Sequence, residues 1–144
     1  MAVEVLPSPL RYPGSKRRLL PYIPYFIEKN QLGGAHLIEP YAGSAVVSLN
    51  LLSRQLVSRV TLVERDPLMY AFWHCVFNET DALCERMRRA TVSITSWKRL
   101  QRYRQVEDPQ SVDIVELGYA GLFFNRTNFS GILGANPIGG RSEE

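Results

Sequence analysis

Cysteine is scarce in this chain, and what there is stands alone. Cys75 and Cys84 are the two thiols, and neither has a C-x-x-C neighbour. The two histidines, His36 and His74, are not placed to complete a ligand set with them. The pattern therefore speaks against a metal site and against a redox pair. Two lone thiols fit a reducing, cytoplasmic setting in which both are packed. No apolar run approaches the roughly 18 residues that span a bilayer, so no membrane segment is expected. Met1–Leu10 lacks a basic stretch followed by an apolar one, and no secretory leader is read there. Internal repeats and low-complexity tracts are absent as well.

What is present describes a folded domain of ordinary size. Of 144 residues, 45% are hydrophobic and 22% charged, the balance of a globular chain rather than a disordered one. The net charge is only +3, but it is unevenly spread. Arg86, Arg88, Arg89, Lys98, Arg99, Arg102 and Arg104 follow one another with no acidic residue between. Such a stretch suits phosphates. Taken alone, it reads equally as the solvated face of a helix.

The chain divides into short elements. Residues 1–10 read as an irregular lead-in. A helix over 15–30 should be kinked or split by Pro21 and Pro24. The apolar run 35–38 reads as a buried strand that stops at Glu39-Pro40, because proline cannot donate to a ladder. Ser44 is placed to cap a helix running to about Arg54. A second strand, 59–64, carries β-branched Val60, Thr61 and Val63. Asp66 and Pro67 then open a helix ending near Asn78. Thr80 should cap a basic helix to about Arg89, and another should run from Thr95 or Ser96 to about Gln105. Over 111–124 apolar residues cover nearly all faces, which predicts a buried helix. The Gly- and Asn-rich tail, 125–144, reads as loop or hairpin. Strand, glycine turn, helix, strand and acid make a βαβ unit, hence an α/β sheet whose ligands sit beyond the carboxyl ends of the strands.

Two short motifs fall at those ends. In Glu39-Pro40-Tyr41-Ala42-Gly43-Ser44, the glycine lets backbone approach a ligand closely and the next helix offers free N–H groups. Glu64 ends the second strand about 20 residues on, the spacing of an acid that grips ribose hydroxyls. A carboxylate can accept two hydrogen bonds from a cis-diol. The plain alternatives are a turn glycine and a solvated strand-end acid. Upstream, Arg11-Tyr12-Pro13-Gly14-Ser15-Lys16 places a cation in the first turn of a helix, where it opposes the dipole. Lys16 is thus expected to serve an anionic ligand group. Downstream, Phe123-Phe124-Asn125-Arg126-Thr127-Asn128-Phe129-Ser130-Gly131-Ile132 alternates polar groups with aromatics. Such a segment can touch base edges or insert between bases, or can simply cap a helix ahead of a hairpin.

Together, and in this order, the four motifs resemble those of D12-class adenine-N6-specific DNA methyltransferases. Residues 11–16 are similar to the family's (W/Y)-x-G-(G/S)-K. Residues 39–44 resemble its S-adenosylmethionine (AdoMet) motif E-P-F-x-G-x-G. Residues 63–67 resemble its N-D-I-N-P segment, and residues 125–131 its N-R-x-x-(F/Y)-N-G segment. The likeness runs from Arg11 to about Gly140. It implies a Rossmann-like AdoMet-dependent methyltransferase fold with a partial sheet and a helical target-recognition insertion. It divides the chain into an AdoMet-binding part, 1–80, and a DNA-binding helical part, 81–144. It assigns AdoMet to Tyr12, Lys16, Glu39, Tyr41, Gly43 and Glu64. It makes Arg126 and Phe129 candidates for contact with double-stranded DNA, with Lys98, Arg99 and Arg102 on phosphates. Asp66 is read as a helix cap. DNA methylation, within restriction-modification or outside it, is the implied activity.

The departures carry information. The second glycine of the AdoMet motif is Ala45 here, a small intrusion. Ser130 and Gly134 stand where the family's recognition hairpin often has Asn and Arg, and Gly134 cannot make the bidentate guanine contact of an arginine. No D-P-P-Y, the family's catalytic motif, occurs in the chain: Asp66-Pro67 and Asp108-Pro109 lack its second proline and aromatic. No catalytic residue is therefore assigned. The chain reads as truncated and inactive alone, or as half of a split enzyme whose partner polypeptide supplies D-P-P-Y. The alternatives are a non-catalytic AdoMet- or DNA-binding remnant, an unrelated α/β nucleotide-binding protein, or a basic stretch that serves RNA.

Overall fold

The computed structural model describes residues 8–140. The expectations for residues 1–7 and 141–144 lie outside the described residues. The described chain forms two compact units: 14–64 with residues 8 and 9, and 65–140 together with the segment 10–13.

The first unit is the expected βαβ. Strand β1 (His36–Pro40) and strand β2 (Arg59–Val63) pair in parallel, with Leu37 opposite Val60 and Pro40 opposite Val63. Helix α2 (Val46–Ser53) connects them. Upstream, Pro21 and Pro24 split the first helix as predicted, into a 3-10 turn, Lys16–Leu19, and helix α1 (Ile23–Lys29), with proline in the opening turn of α1. Leu20, Ile27, Val46, Val47, Leu51 and Val57 form the core, and Leu37 and Val60 pack against it from one face of the sheet. On the other face Ile38 is 59% and Val63 48% exposed.

Three local expectations are corrected. β1 does not stop before Pro40: it includes it. A strand-terminal proline forfeits one donor but keeps extended backbone, and Ala42 then donates to Val63 O at 3.1 Å. Ser44 does not cap α2. The cap position is Ala45, in the left-handed region at φ 49°, with no side-chain cap, and the Ser44 hydroxyl lies 3.2 Å from that of Ser15. Thr80 does not cap the next basic helix either. Glu79 holds that position, and Thr80 donates its hydroxyl to Val76 O at 2.7 Å.

The second unit is helical. Asp66 caps helix α3 (Pro67–Asn78) as read, accepting from Leu68 N at 2.9 Å and Met69 N at 3.3 Å. Helix α4 (Thr80–Arg88) follows. Helix α5 (Ile94–Leu100) starts slightly earlier than expected because Ser93, not Thr95 or Ser96, supplies the cap. A 3-10 stretch, Gln101–Gln105, completes the predicted span. Helix α6 (Ile114–Thr127) is capped by Asp113 and runs three residues past the expected end, into the Asn-rich segment. Every residue from Leu117 to Asn125 is buried. The buried helix was legible from its composition, but its means of close packing was not. An added Cβ at Gly118 would stand 2.8 Å from Ala71 O, and one at Gly121 2.5 Å from Leu68 O. The two glycines let α6 lie against the backbone of α3.

Candidate functional site

The parallel register brings the two strand-end motifs of the first unit together. Gly43 N donates to Glu64 Oε2 at 2.8 Å. The turn between β1 and α2 and the acid after β2 are therefore neighbours, as the sequence required. The turn is conformationally costly. Tyr41, Gly43 and Ala45 have φ of 53°, 51° and 49°. For non-glycine residues this region costs about 1–2 kcal/mol each, and such outliers concentrate at ligand sites. Tyr41 is 74% exposed, with its ring outside the core.

Glu39 is 5% exposed and takes its partners from the protein. Its Oε1 is 3.2 Å from Lys16 Nζ, while Oε2 accepts from Ser48 N at 3.0 Å and from the Ser48 hydroxyl. An acid facing the first turn of α2 is favoured by the helix dipole. Lys16 also donates to Tyr41 O at 2.6 Å. Lys16 thus pairs with a nearby acid of the protein, Glu39, and its ammonium ties Lys16 to the strained turn. Ser15, Ser44 and Ser48 support this arrangement. Sequence reading missed that role, since isolated serines carry no spacing signal. Tyr12 belongs to the second unit and is 42% exposed.

The expected DNA-side residues all fall in the second unit. Lys98 and Arg99 are exposed on α5, and Arg126 is exposed in the last turn of α6. Arg102 is exposed, donating to Tyr103 Oη at 3.1 Å with its guanidinium 4.9 Å from that ring's centroid. Phe129 is 67% exposed, in the turn after α6. The basic stretch is not one uniform field. Arg86 pairs with Glu116, and its guanidinium lies 3.8 Å from the Tyr119 ring centroid. Burial opposes that charge, but hydrogen bonding and attraction from Glu116 outweigh it and hold the Arg86 pKa above its ordinary value. Arg88 and Arg89 both pair with Glu85, which directly precedes the run.

The sequence model of the D12 class N6 adenine-specific DNA methyltransferases matches residues 12–142. The chain belongs to that family. No curated protein and no solved structure matches it. D12 membership connects the chain to AdoMet-dependent chemistry and to DNA adenine methylation in general. The mixed α/β structure with its two-stranded parallel sheet is compatible with a partial Rossmann-like fold. No cluster of three or more His, Cys, Asp or Glu suited to a metal occurs among the described residues, and no described helix is long and apolar enough to cross a membrane.

Asn125 and Asn128 lie in the segment that reads either as touching base edges or as a helix cap ahead of a hairpin, and they follow the second reading. Both are fully buried, and the NH2 group of each is spent on backbone carbonyls. Asn125 accepts from Arg11 N at 2.9 Å and donates to Arg11 O and Gly131 O. Asn128 donates to Ile132 O at 3.0 Å and Leu133 O at 2.9 Å. They shape the loop rather than face a ligand.

Proposed function

We propose that this chain binds AdoMet at the strand ends of its βαβ unit and double-stranded DNA on its helical unit, for methyl transfer to adenine N6. The observation that carries the reading is the 2.8 Å bond from Gly43 N to Glu64. It sets a strained glycine turn beside a carboxylate suited to a ribose diol. Glu64 would hold the ribose, Gly43 would admit the cofactor, Tyr41 would lie against it, and Glu39 would act by holding Lys16. Tyr12 is carried by the family motif alone. AdoMet supplies the electrophilic methyl group when bound. Lys98, Arg99 and Arg102 would meet phosphates, with Arg126 and Phe129 at the bases.

The 144 residues contain no D-P-P-Y, and we assign the grip on the adenine amino group to polypeptide outside them. Isothermal calorimetry with AdoMet, followed by salt-dependent duplex binding, tests the reading. Saturable AdoMet binding is expected, together with DNA affinity that falls with salt. Binding of a dinucleotide in place of AdoMet, or stronger binding of RNA at matched salt, would overturn it. Methylation of DNA by the purified chain alone would overturn the assignment of adenine binding to other polypeptide.

A further inference from the structure

The loop after α6 and the basic helix α5 share one buried hydrogen bond. Trp97 lies on α5 directly before Lys98 and Arg99, and is 5% exposed. Its indole N–H donates to Asn128 Oδ1 at 2.7 Å. The Nδ2 of the same amide holds the carbonyls of Ile132 and Leu133. Asn128 is the residue directly before Phe129. Its backbone pairs across the loop with Pro137, and Phe129 N donates to Asn136 O at 3.0 Å. The Trp97 ring also meets Phe124 edge-on, and the Arg104 guanidinium lies 5.1 Å from the Trp97 centroid and 4.3 Å from that of Phe124. Arg104 donates in turn to Ala135 O at 3.0 Å, in the same loop.

One amide thus shapes the turn that carries Phe129 and receives the helix that carries Lys98 and Arg99. A buried amide with its bonds made is costly to displace, because each lost partner leaves a desolvated polar atom. The indole bond allows one register between helix and turn. We propose that Asn128 is a positioning residue for DNA reading: through Trp97 it locks the phosphate-facing helix to the base-facing turn. Phosphate contacts then set where the turn meets the bases. This rests on the DNA-binding reading above.

The two halves of the lock can be separated by substitution. Trp97→Phe keeps an aromatic ring, smaller than the indole, but removes the N–H, so the turn's own bonds survive while its tie to α5 is lost. Asn128→Asp keeps the acceptor for Trp97 but sets a carboxylate oxygen against the carbonyls of Ile132 and Leu133. The probes are a randomised duplex pool and the best-bound duplex selected from it by the unaltered chain. Folding of each variant is checked by circular dichroism. Trp97→Phe is expected to bind the unselected pool with an unchanged salt slope, which counts phosphate contacts. Its preference for the selected duplex is expected to fall about ten-fold or more, as when a base contact is misplaced. A folded Trp97→Phe chain with full preference would overturn the lock and leave the DNA reading intact. An unaltered chain that binds no duplex, or shows no preference, would overturn both. Should both variants fail to fold, the unaltered chain decides by NMR. The Trp97 indole N–H resonance should shift on addition of the selected duplex and less with the unselected pool. Equal shifts would sink the proposal.

Discussion

Gly43 donates its backbone N–H to the Glu64 carboxylate, 21 residues away, at 2.8 Å. The bond joins the bend after the first strand to the residue after the second, and it holds the acid at the mouth of the βαβ unit. Glu64→Ala removes the ribose partner and the anchor of the turn at once. AdoMet affinity should fall by roughly 1.5–3 kcal/mol, the range for hydrogen bonds to charged groups. Calorimetry reads this directly, and unchanged affinity rules out the ribose role.

Ala45 stands where the AdoMet motif of the family has its second glycine, and it adopts the left-handed conformation that glycine takes without strain, at φ 49°. Ala45→Gly should relieve about 1–2 kcal/mol of backbone strain and lose about 0.8 kcal/mol of methyl burial. Stability to urea should therefore hold or rise slightly. In a helix interior the same exchange costs about 1 kcal/mol. A drop in the urea midpoint of that size would show that the turn is not strained at this residue.

How much of this was legible in the sequence depended on the kind of signal. The βαβ order, the split first helix, the Asp66 cap and the meeting of Gly43 with Glu64 all follow from local chemistry or from strand pairing, and all are present. Ser44 and Thr80 misled because a hydroxyl beside a helix start signals a cap only if no other partner competes. Ser15 and Val76 O competed successfully. The pairing of Arg86 with Glu116 could not be read, since it joins two helices 30 residues apart. For Asn125 and Asn128 the sequence left base contact and helix capping both open, because composition cannot tell an inward-facing amide from an outward-facing one. The contact of Gly118 and Gly121 with α3 was hidden for a similar reason: within an apolar run, glycine gives no sign of what lies opposite.

Cys75 is buried, and its thiol lies 3.3 Å from Ile114 O. Burial above all, then the nearby charges of Glu79 and Asp113, push its pKa up to about 11 from an ordinary 9.0. The thiolate is the reactive form, so Cys75 should resist alkylation near neutral pH while the half-buried Cys84 reacts. The sign for stability follows. The folded-state pKa lies above the unfolded one, so this contribution is fully present below about pH 9 and is lost as pH rises towards 11. Mass spectrometry after brief iodoacetamide treatment, and urea midpoints measured across that window, check the two statements. Equal labelling of both cysteines would contradict the burial of Cys75.

Gly121 sits where α6 passes closest to α3, and a methyl group there would stand 2.5 Å from Leu68 O and 3.2 Å from the Met69 Cε. The Met69 side chain is flexible enough to yield. The Leu68 carbonyl is part of a helix backbone and yields only if the helices move apart. Overpacking of this kind typically costs about 1–3 kcal/mol, so Gly121→Ala should lower the urea midpoint by that equivalent. Gly118→Ala, whose nearest contact is a longer 2.8 Å to Ala71 O, should cost less. The loss should appear in helical circular dichroism as an earlier unfolding transition. A Gly121→Ala chain as stable as the parent would mean that the two helices are not in backbone contact.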